Sequence, residues 1–239
     1  MLQLNAEQLE LLEAHTSQFQ QYFTSLARSS YKSINSNSTK TNNERLQLLA
    51  QQILIGLPVE PILQSYPQLA NWIEQLRVFI DLPFSQKQLN VTYKIPTNNI
   101  FVSATYNLVL AEANKAIAVN WLITNYFPPL ETLKASWKTQ LSLFILCEFE
   151  QVSPENAYIT YLFLRNESLP SVYQFSYSQS QHDYFKERLQ KALIKLTSWV
   201  NADKIELNKL SETEQNLQML LNGQLSICEY LNTISEVEI

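Results

Sequence analysis

Glycine is nearly absent from this chain, with 2 in 239 residues. Phosphate-cradling loops and dinucleotide fingerprints need several glycines, because their backbones must approach phosphate closely and turn sharply. P-loop, protein-kinase and Rossmann readings are thereby excluded. Cysteine is as scarce: Cys147 and Cys228 are the only two, and they form neither a metal-ligand spacing nor a disulfide framework. Cys147 lies in the apolar run Leu141–Phe149 and reads as a small buried hydrophobe. Basic residues number 17 against 22 acids, a net charge of −5 and a pI near 5.2. That balance provides no global field for nucleic acid, and no Lys/Arg cluster marks a local one. No apolar run approaches the ~20 residues that span a bilayer. Met1–Glu13 is acidic and amphipathic, without the basic and apolar regions of a secretory signal. A cytoplasmic location and no membrane partner are the expectation.

What is present suits one domain of generous size, or a domain with helical extensions. Hydrophobic residues make up 46% of the chain, enough to build a substantial core. Leu4, Leu9, Leu11, Leu12, Phe19, Tyr22, Phe23 and Leu26 recur at near-helical spacing over residues 4–28. Ser29–Asn43 reads as a polar loop. A second helix is predicted from Asn43 to Ile55, stopped by Gly56 and Pro58. Further helix over 59–80 carries Leu69, Trp72, Ile73, Leu76, Val78 and Phe79. The pattern then changes to period two. Leu89–Ile95 alternates and stops at Pro96, and Asn99–Leu110 and Lys115–Ile123 are β-branched and aromatic, joined by Ala111-Glu112-Ala113-Asn114. These read as a three-strand antiparallel meander. Pro128-Pro129 precedes a helix over Leu130–Phe149. Strands at Ala157–Leu164 and Val172–Tyr177, a helix over Gln181–Val200 and a polar, helical tail complete the order. This order predicts an α/β (α+β) fold, a mixed central sheet flanked by helices. The predicted regions are 1–82 (N-terminal helices), 83–203 (core) and 204–239 (C-terminal tail).

The hairpin carries the most information. Tyr106-Asn107-Leu108 and Val119-Asn120-Trp121-Leu122, with Thr124 shortly after, resemble the site-bearing strands of the PD-(D/E)XK (restriction-endonuclease-like) nuclease superfamily, in particular its RecB-like branch. In that family the pattern is Tyr-Asp-Leu on one strand and Val-Asp-Trp-Lys-Thr on the next. The resemblance extends over roughly residues 9–228. Leu48–Pro58 resembles the helix that supplies a metal-binding His in many RecB-like members, and that His would fall near Gln47. Lys138-Thr139-Gln140-Leu141 with Phe144 resembles the helix whose Gln and Tyr face DNA; its Gln would align with Lys138, with Gln140 two positions away. Ser17-Gln18-Phe19-Gln20 resembles a Cys-Pro-Arg-Lys-Phe segment of members with an iron–sulfur cluster, whose four thiolates would align with His15, Leu217, Leu220 and Ser226. Two distant cysteines cannot replace four thiolates, so no Fe–S cluster is expected.

The family's chemistry is metal-assisted phosphodiester hydrolysis, in which carboxylates on two neighbouring strands hold Mg²⁺ and a Lys two residues further on assists the nucleophile. Here Asn107, Asn120 and Leu122 stand at those positions. An amide oxygen can ligate a hard cation but brings no charge. Each lost unit pair at about 4 Å weakens the attraction by about 4 kcal/mol at a surface-like dielectric. The resemblance therefore implies a vestigial site at Gln47, Asn107, Asn120, Leu122 and Lys138, and no bound metal. The protein would be a pseudo-nuclease, a scaffold or interaction module in a DNA-repair setting, with a protein partner and at most weak nucleic-acid contacts.

Two other readings remain open. One is an active Mg²⁺- or Mn²⁺-dependent DNA nuclease with relocated groups, for which Glu112 and Lys115 are the fallback candidates, with Glu131 and Lys134 behind them. As ordinary residues, Glu112 and Lys115 are solvated turn positions and Glu131 suits a helix N-terminus. The other is a structural partner with no nucleic-acid role. His15 and His182 have no nucleophile motif beside them, and His182-Asp183 reads as a helix start. Tyr158, Tyr161, Phe163, Tyr173, Phe175 and Tyr177 read as core and sheet surface, not a base-stacking platform.

Overall fold

Six strands form one sheet in this computed structural model, which describes residues 2–19, 37–97, 100–124, 126–165, 170–209 and 219. The elements, in chain order, are β1 (Gln3–Leu4), α1 (Ala6–Ala14), α2 (Asn37–Leu54), α3 (Glu60–Ser65), α4 (Pro67–Ile80), β2 (Gln86–Thr97), β3 (Ile100–Glu112), β4 (Lys115–Ile123), α5 (Leu130–Ala135), α6 (Trp137–Glu150), a 3₁₀ turn at Pro154–Asn156, β5 (Ala157–Leu164), β6 (Ser171–Ser176) and α7 (Gln179–Lys209). Strands run in the order β1-β3-β4-β5-β6, with β2 also paired to β3. β2, β3 and β4 form the antiparallel meander, β5 returns parallel to β4, and β6 is antiparallel to β5. The parallel return is possible because α5 and α6 carry the chain across the sheet between β4 and β5. Helices, a meander, a helical crossover and a parallel strand make this a mixed α/β fold, one mixed sheet flanked by helices.

The chain divides into two compact units, Met1–Glu10 with Ser33–Leu189, and Leu11–Lys32 with Gln190–Ile239. In the first, α2 and α4 bury Leu46, Leu49, Trp72, Ile73 and Leu76 together with Leu108, Leu110, Val119, Trp121 and Leu162 of the sheet. The Trp72 indole N–H donates to the Arg165 carbonyl at 3.0 Å, so this large side chain is buried with its donor satisfied. α6 packs against β2, β3 and β5. In the second unit Leu12, Phe19, Ala192, Leu193 and Leu196 are buried, and Lys195 Nζ donates to the Glu13 carbonyl at 3.2 Å.

Several boundaries follow local rules. α2 ends as its Gly predicts: Gly56 takes φ +74°, its N–H donates to Ile53 and the Leu57 N–H to Gln52, the paired bonds of a Schellman stop. α7 opens on a reciprocal cap in which the Ser178 N–H donates to Gln181 Oε1 and the Gln181 N–H to Ser178 Oγ.

Other expectations need correction. The helix expected over Leu130–Phe149 is two helices, because Ser136 is extended (ψ 145°) and its hydroxyl caps the Thr139 N–H. The segment 59–80 is likewise broken at Tyr66, ahead of Pro67, since a proline disfavours helical backbone in the residue before it. Residues 37–43 of the expected loop Ser29–Asn43 belong to α2, and 29–36 lie outside the described residues. Pro96 does not end β2, which runs on to Thr97; among the described residues β2 has a strand partner only on its β3 side, and a proline's missing donor is tolerated on an edge strand. β1, only two residues long, carries no pattern that sequence reading could detect. Leu217, Leu220, Ser226 and the tail beyond Lys209, Met219 excepted, lie outside the described residues.

Candidate functional site

β3 changes partner along one edge. Phe101 and Val102 pair with Gln3 and Leu4 of β1, and Leu108 to Glu112 pair with β4. Between them, residues 103–107 have no strand on that side among the described residues. β4 stops pairing with β3 at Val119 but continues beside β5 through Ile123. The two strands therefore fork, and a cavity of about 590 Å³ opens in the fork.

The fork coincides with a change of sidedness. Leu89 and Leu108 pack with the Trp72 cluster. Yet the Tyr106 hydroxyl donates to the Ser142 carbonyl of α6 at 2.7 Å, and the Tyr93 hydroxyl donates to Glu150, also on α6. Regular alternation would put Leu89 with Tyr93, and Leu108 with Tyr106, on one face. The alternation breaks at the opposed pair Asn90 and Asn107, which the β2–β3 ladder skips, and Asn90 has φ +52°. Asn tolerates this left-handed conformation better than most residues.

Asn107 and Asn120 close the apex of the fork. The Asn107 backbone N–H donates to Asn120 Oδ1 at 3.1 Å, and the Trp121 N–H donates to Asn107 Oδ1 at 3.0 Å. Side-chain amides thus take over where the backbone ladder stops. Asn120 is 5% exposed and its Nδ2 has no partner of ordinary hydrogen-bond geometry. It lies close enough to the Tyr161 hydroxyl to favour the phenolate, but burial outweighs this and pushes the Tyr161 pKa up to about 12. The Tyr161 hydroxyl also shares a 3.0 Å hydrogen bond with Thr139 Oγ1.

Leu122 and Lys138 line the same cavity, with Gln3, Gln8, Ser103, Thr105 and Ser142. Four of the five positions that sequence comparison singled out, Asn107, Asn120, Leu122 and Lys138, are thus brought together. Gln47 is not among the lining residues. Its helix buries Leu46, Leu49 and Ala50 against the Trp72 cluster, and its Nε2 is buried without a partner. Glu112 and Lys115 also stand apart, directly opposite each other at the hairpin end, about 16 Å along the strand from Asn107. Lys115 instead sits over the Tyr158 ring, 5.5 Å from its centroid. Glu131 and Lys134 line a separate cavity of about 350 Å³.

Sequence reading missed Glu7, the one carboxylate among the described residues that lines the fork. The signal was available: Asn5 and Gln8 form a reciprocal cap at 2.9 and 3.0 Å, a pattern that starts a helix at Ala6 and places Glu7 in its first turn. What could not be read is that β1 docks beside β3 and carries this turn to the fork.

The donor set does not fit a Mg²⁺ ion of the family's kind. A site of that kind places carboxylates on two neighbouring strands, whereas here, among the described residues, the lining offers one carboxylate, from α1, and the two strand positions carry neutral amide oxygens that each accept a backbone N–H. Among the described residues no group of three or more His, Cys, Asp or Glu side chains is placed to hold a metal. The residual histidine offers no substitute: His182 Nε2 lies 3.0 Å from Glu148 Oε1, and its ring is stacked on Phe144 in the first turn of α7.

No family profile and no curated protein sequence matches this chain. Among solved structures, it is similar to an alkaline exonuclease from Laribacter hongkongensis, at 10% identity and a TM-score of 0.49, over 87% of this chain and 95% of that one. A second, from Eubacterium rectale and an exonuclease by provisional assignment, has 7% identity and a TM-score of 0.43, over 87% and 79%. These are likenesses of shape. The chemistry rests on the site itself.

Proposed function

We propose that this protein is a nuclease-fold module that does not hydrolyse phosphodiesters and acts through binding. One observation carries the reading. Both amide oxygens at the apex accept backbone N–H groups, so they brace the two strands, and unlike carboxylates they bring no charge to a cation. Leu122 supplies no ammonium group at the position of the family's lysine. Lys138 lines the cavity but is exposed, and with Glu7 it leaves the lining charge-balanced.

The test is cleavage of single- and double-stranded DNA with Mg²⁺ or Mn²⁺, compared with the Asn107→Ala variant. The expected result is no cleavage by the parent above the variant, together with no saturable Mg²⁺ binding by calorimetry. Metal-dependent cleavage that disappears in Asn107→Ala overturns the proposal.

A further inference from the structure

We propose that the fork between β3 and β4 is a docking slot for an extended, near-neutral polypeptide segment of a protein partner, which would lie as a short added strand against the β3 edge. This rests on the non-hydrolytic reading above and names the class of occupant. The first observation is topological. On the fork side, β3 from Ser103 to Thr105 and β4 at Leu122-Ile123 have no strand partner among the described residues. The first amides past the apex, those of Asn107 and Trp121, are capped by side chains. A strand edge between two paired stretches is a template for another extended chain. The stretch from Ser103 to Asn107 spans about 13 Å, the length of a short recognition strand.

The second observation is the lining. Gln3, Gln8, Thr92, Ser103, Thr105 and Ser142 offer amides and hydroxyls, groups that both donate and accept and so match peptide groups. Their bonds leave capacity: Gln3 Nε2 donates to Ser103 Oγ at 3.0 Å, so Gln3 Oε1 can still accept. The third is charge. Among the described residues, one acid, Glu7, and one base, Lys138, line the cavity. A polyanion bound by phosphate contacts needs several cations, and a single lysine opposed by a glutamate does not supply them. A peptide without a run of like charge meets no such mismatch.

The experiment uses a random heptapeptide library displayed on phage, panned against the full-length protein. Enriched sequences are synthesised with a fluorophore and titrated by anisotropy. Two perturbations follow: Leu122→Trp, which fills the fork, and N-methylation of central amides in the selected peptides, which removes backbone donors without touching the protein. A fluorescent dT12 oligonucleotide is titrated in parallel at two salt concentrations. The expectation is that Leu122→Trp and N-methylation each weaken peptide binding by about tenfold or more, with no dT12 binding that responds to Leu122→Trp. Should Leu122→Trp fail to fold, the N-methylated peptides decide alone. No enrichment, peptide affinities unmoved by either perturbation, or dT12 binding that Leu122→Trp abolishes overturns the proposal. DNA cleavage would remove the reading beneath it. A protein that neither cleaves nor binds these peptides would overturn this inference alone.

Discussion

Asn107 and Asn120 stand opposite each other where β3 and β4 part, and the Asn107 N–H donates to Asn120 Oδ1 at 3.1 Å. The two side-chain oxygens hold the strands together where the backbone ladder ends. The pair therefore has a structural duty that can be separated from any ligand.

Restoring charge should separate the two duties. In Asn107→Asp/Asn120→Asp the backbone N–H groups keep acceptors, but two carboxylates face each other and position 120 is almost fully buried. Each ionised form is disfavoured, so folded-state pKa values rise above the unfolded ones. Stability is then lost as pH rises past the unfolded carboxylate values. Urea midpoints should show the double variant less stable than the parent by about 1–3 kcal/mol at pH 8, and by less at pH 4.5. Millimolar Mg²⁺ should stabilise the variant and leave the parent unmoved. Equal stabilisation of both would contradict the structural reading of the amides.

Asn90 supplies a second test, because its φ of +52° is unfavourable for a side chain branched at Cβ. Asn90→Val should cost about 1–2 kcal/mol, whereas Asn90→Gly should be neutral within roughly half a kcal/mol. Denaturant titration of the two variants measures this directly. If valine is tolerated as well as glycine, the sidedness switch at Asn90 and Asn107 does not depend on that backbone conformation.

Ser136 caps α6 and also donates to the Leu133 carbonyl at 2.8 Å, joining the two crossover helices. Ser136→Ala should destabilise the protein by about 1 kcal/mol. Because α6 carries Lys138, Leu141 and Ser142 to the fork, hydrogen exchange of the α6 first-turn amides should rise in the same variant. Unchanged protection there would show that packing alone fixes the helix start.

Cys147 is 3% exposed, and burial, reinforced by the nearby carboxylates of Glu148 and Glu155, pushes its thiol up to about 12. The attacking species is the thiolate, which is scarce at pH 8 and shielded. In a Cys228→Ser background, labelling by a thiol-specific reagent at pH 8 should be slow and should track global unfolding as urea is added. Fast labelling of the native protein would place Cys147 outside the core.

Hydrophobic periodicity was enough to read the β3–β4 hairpin and β5, because each pattern reports one buried face and needs no knowledge of partners. Gly56 announced the end of α2 for a similarly local reason. The break at Ser136 was less legible: helix-compatible residues on both sides, Leu130–Ala135 and Trp137–Glu150, masked a serine whose capping role depends on an extended backbone. Candidate positions divided in the same way. Asn107, Asn120 and Leu122 were singled out by resemblance, and two-residue alternation with hairpin register predicted that they share a face. Glu7 and Gln47 could not be placed correctly, since each depends on where a distant element docks.

The amino-acid order by itself determined the element types, the hairpin and the absence of acids at its apex, all consequences of short-range spacing and side-chain chemistry. Only the tertiary structure decided that β1 takes the far stretch of the β3 edge, that the strands fork between Val102 and Leu108, and that the two amides are consumed by backbone donors. Those outcomes depend on which buried surfaces and unpaired backbone groups meet across a hundred residues, and local sequence carries no record of that meeting.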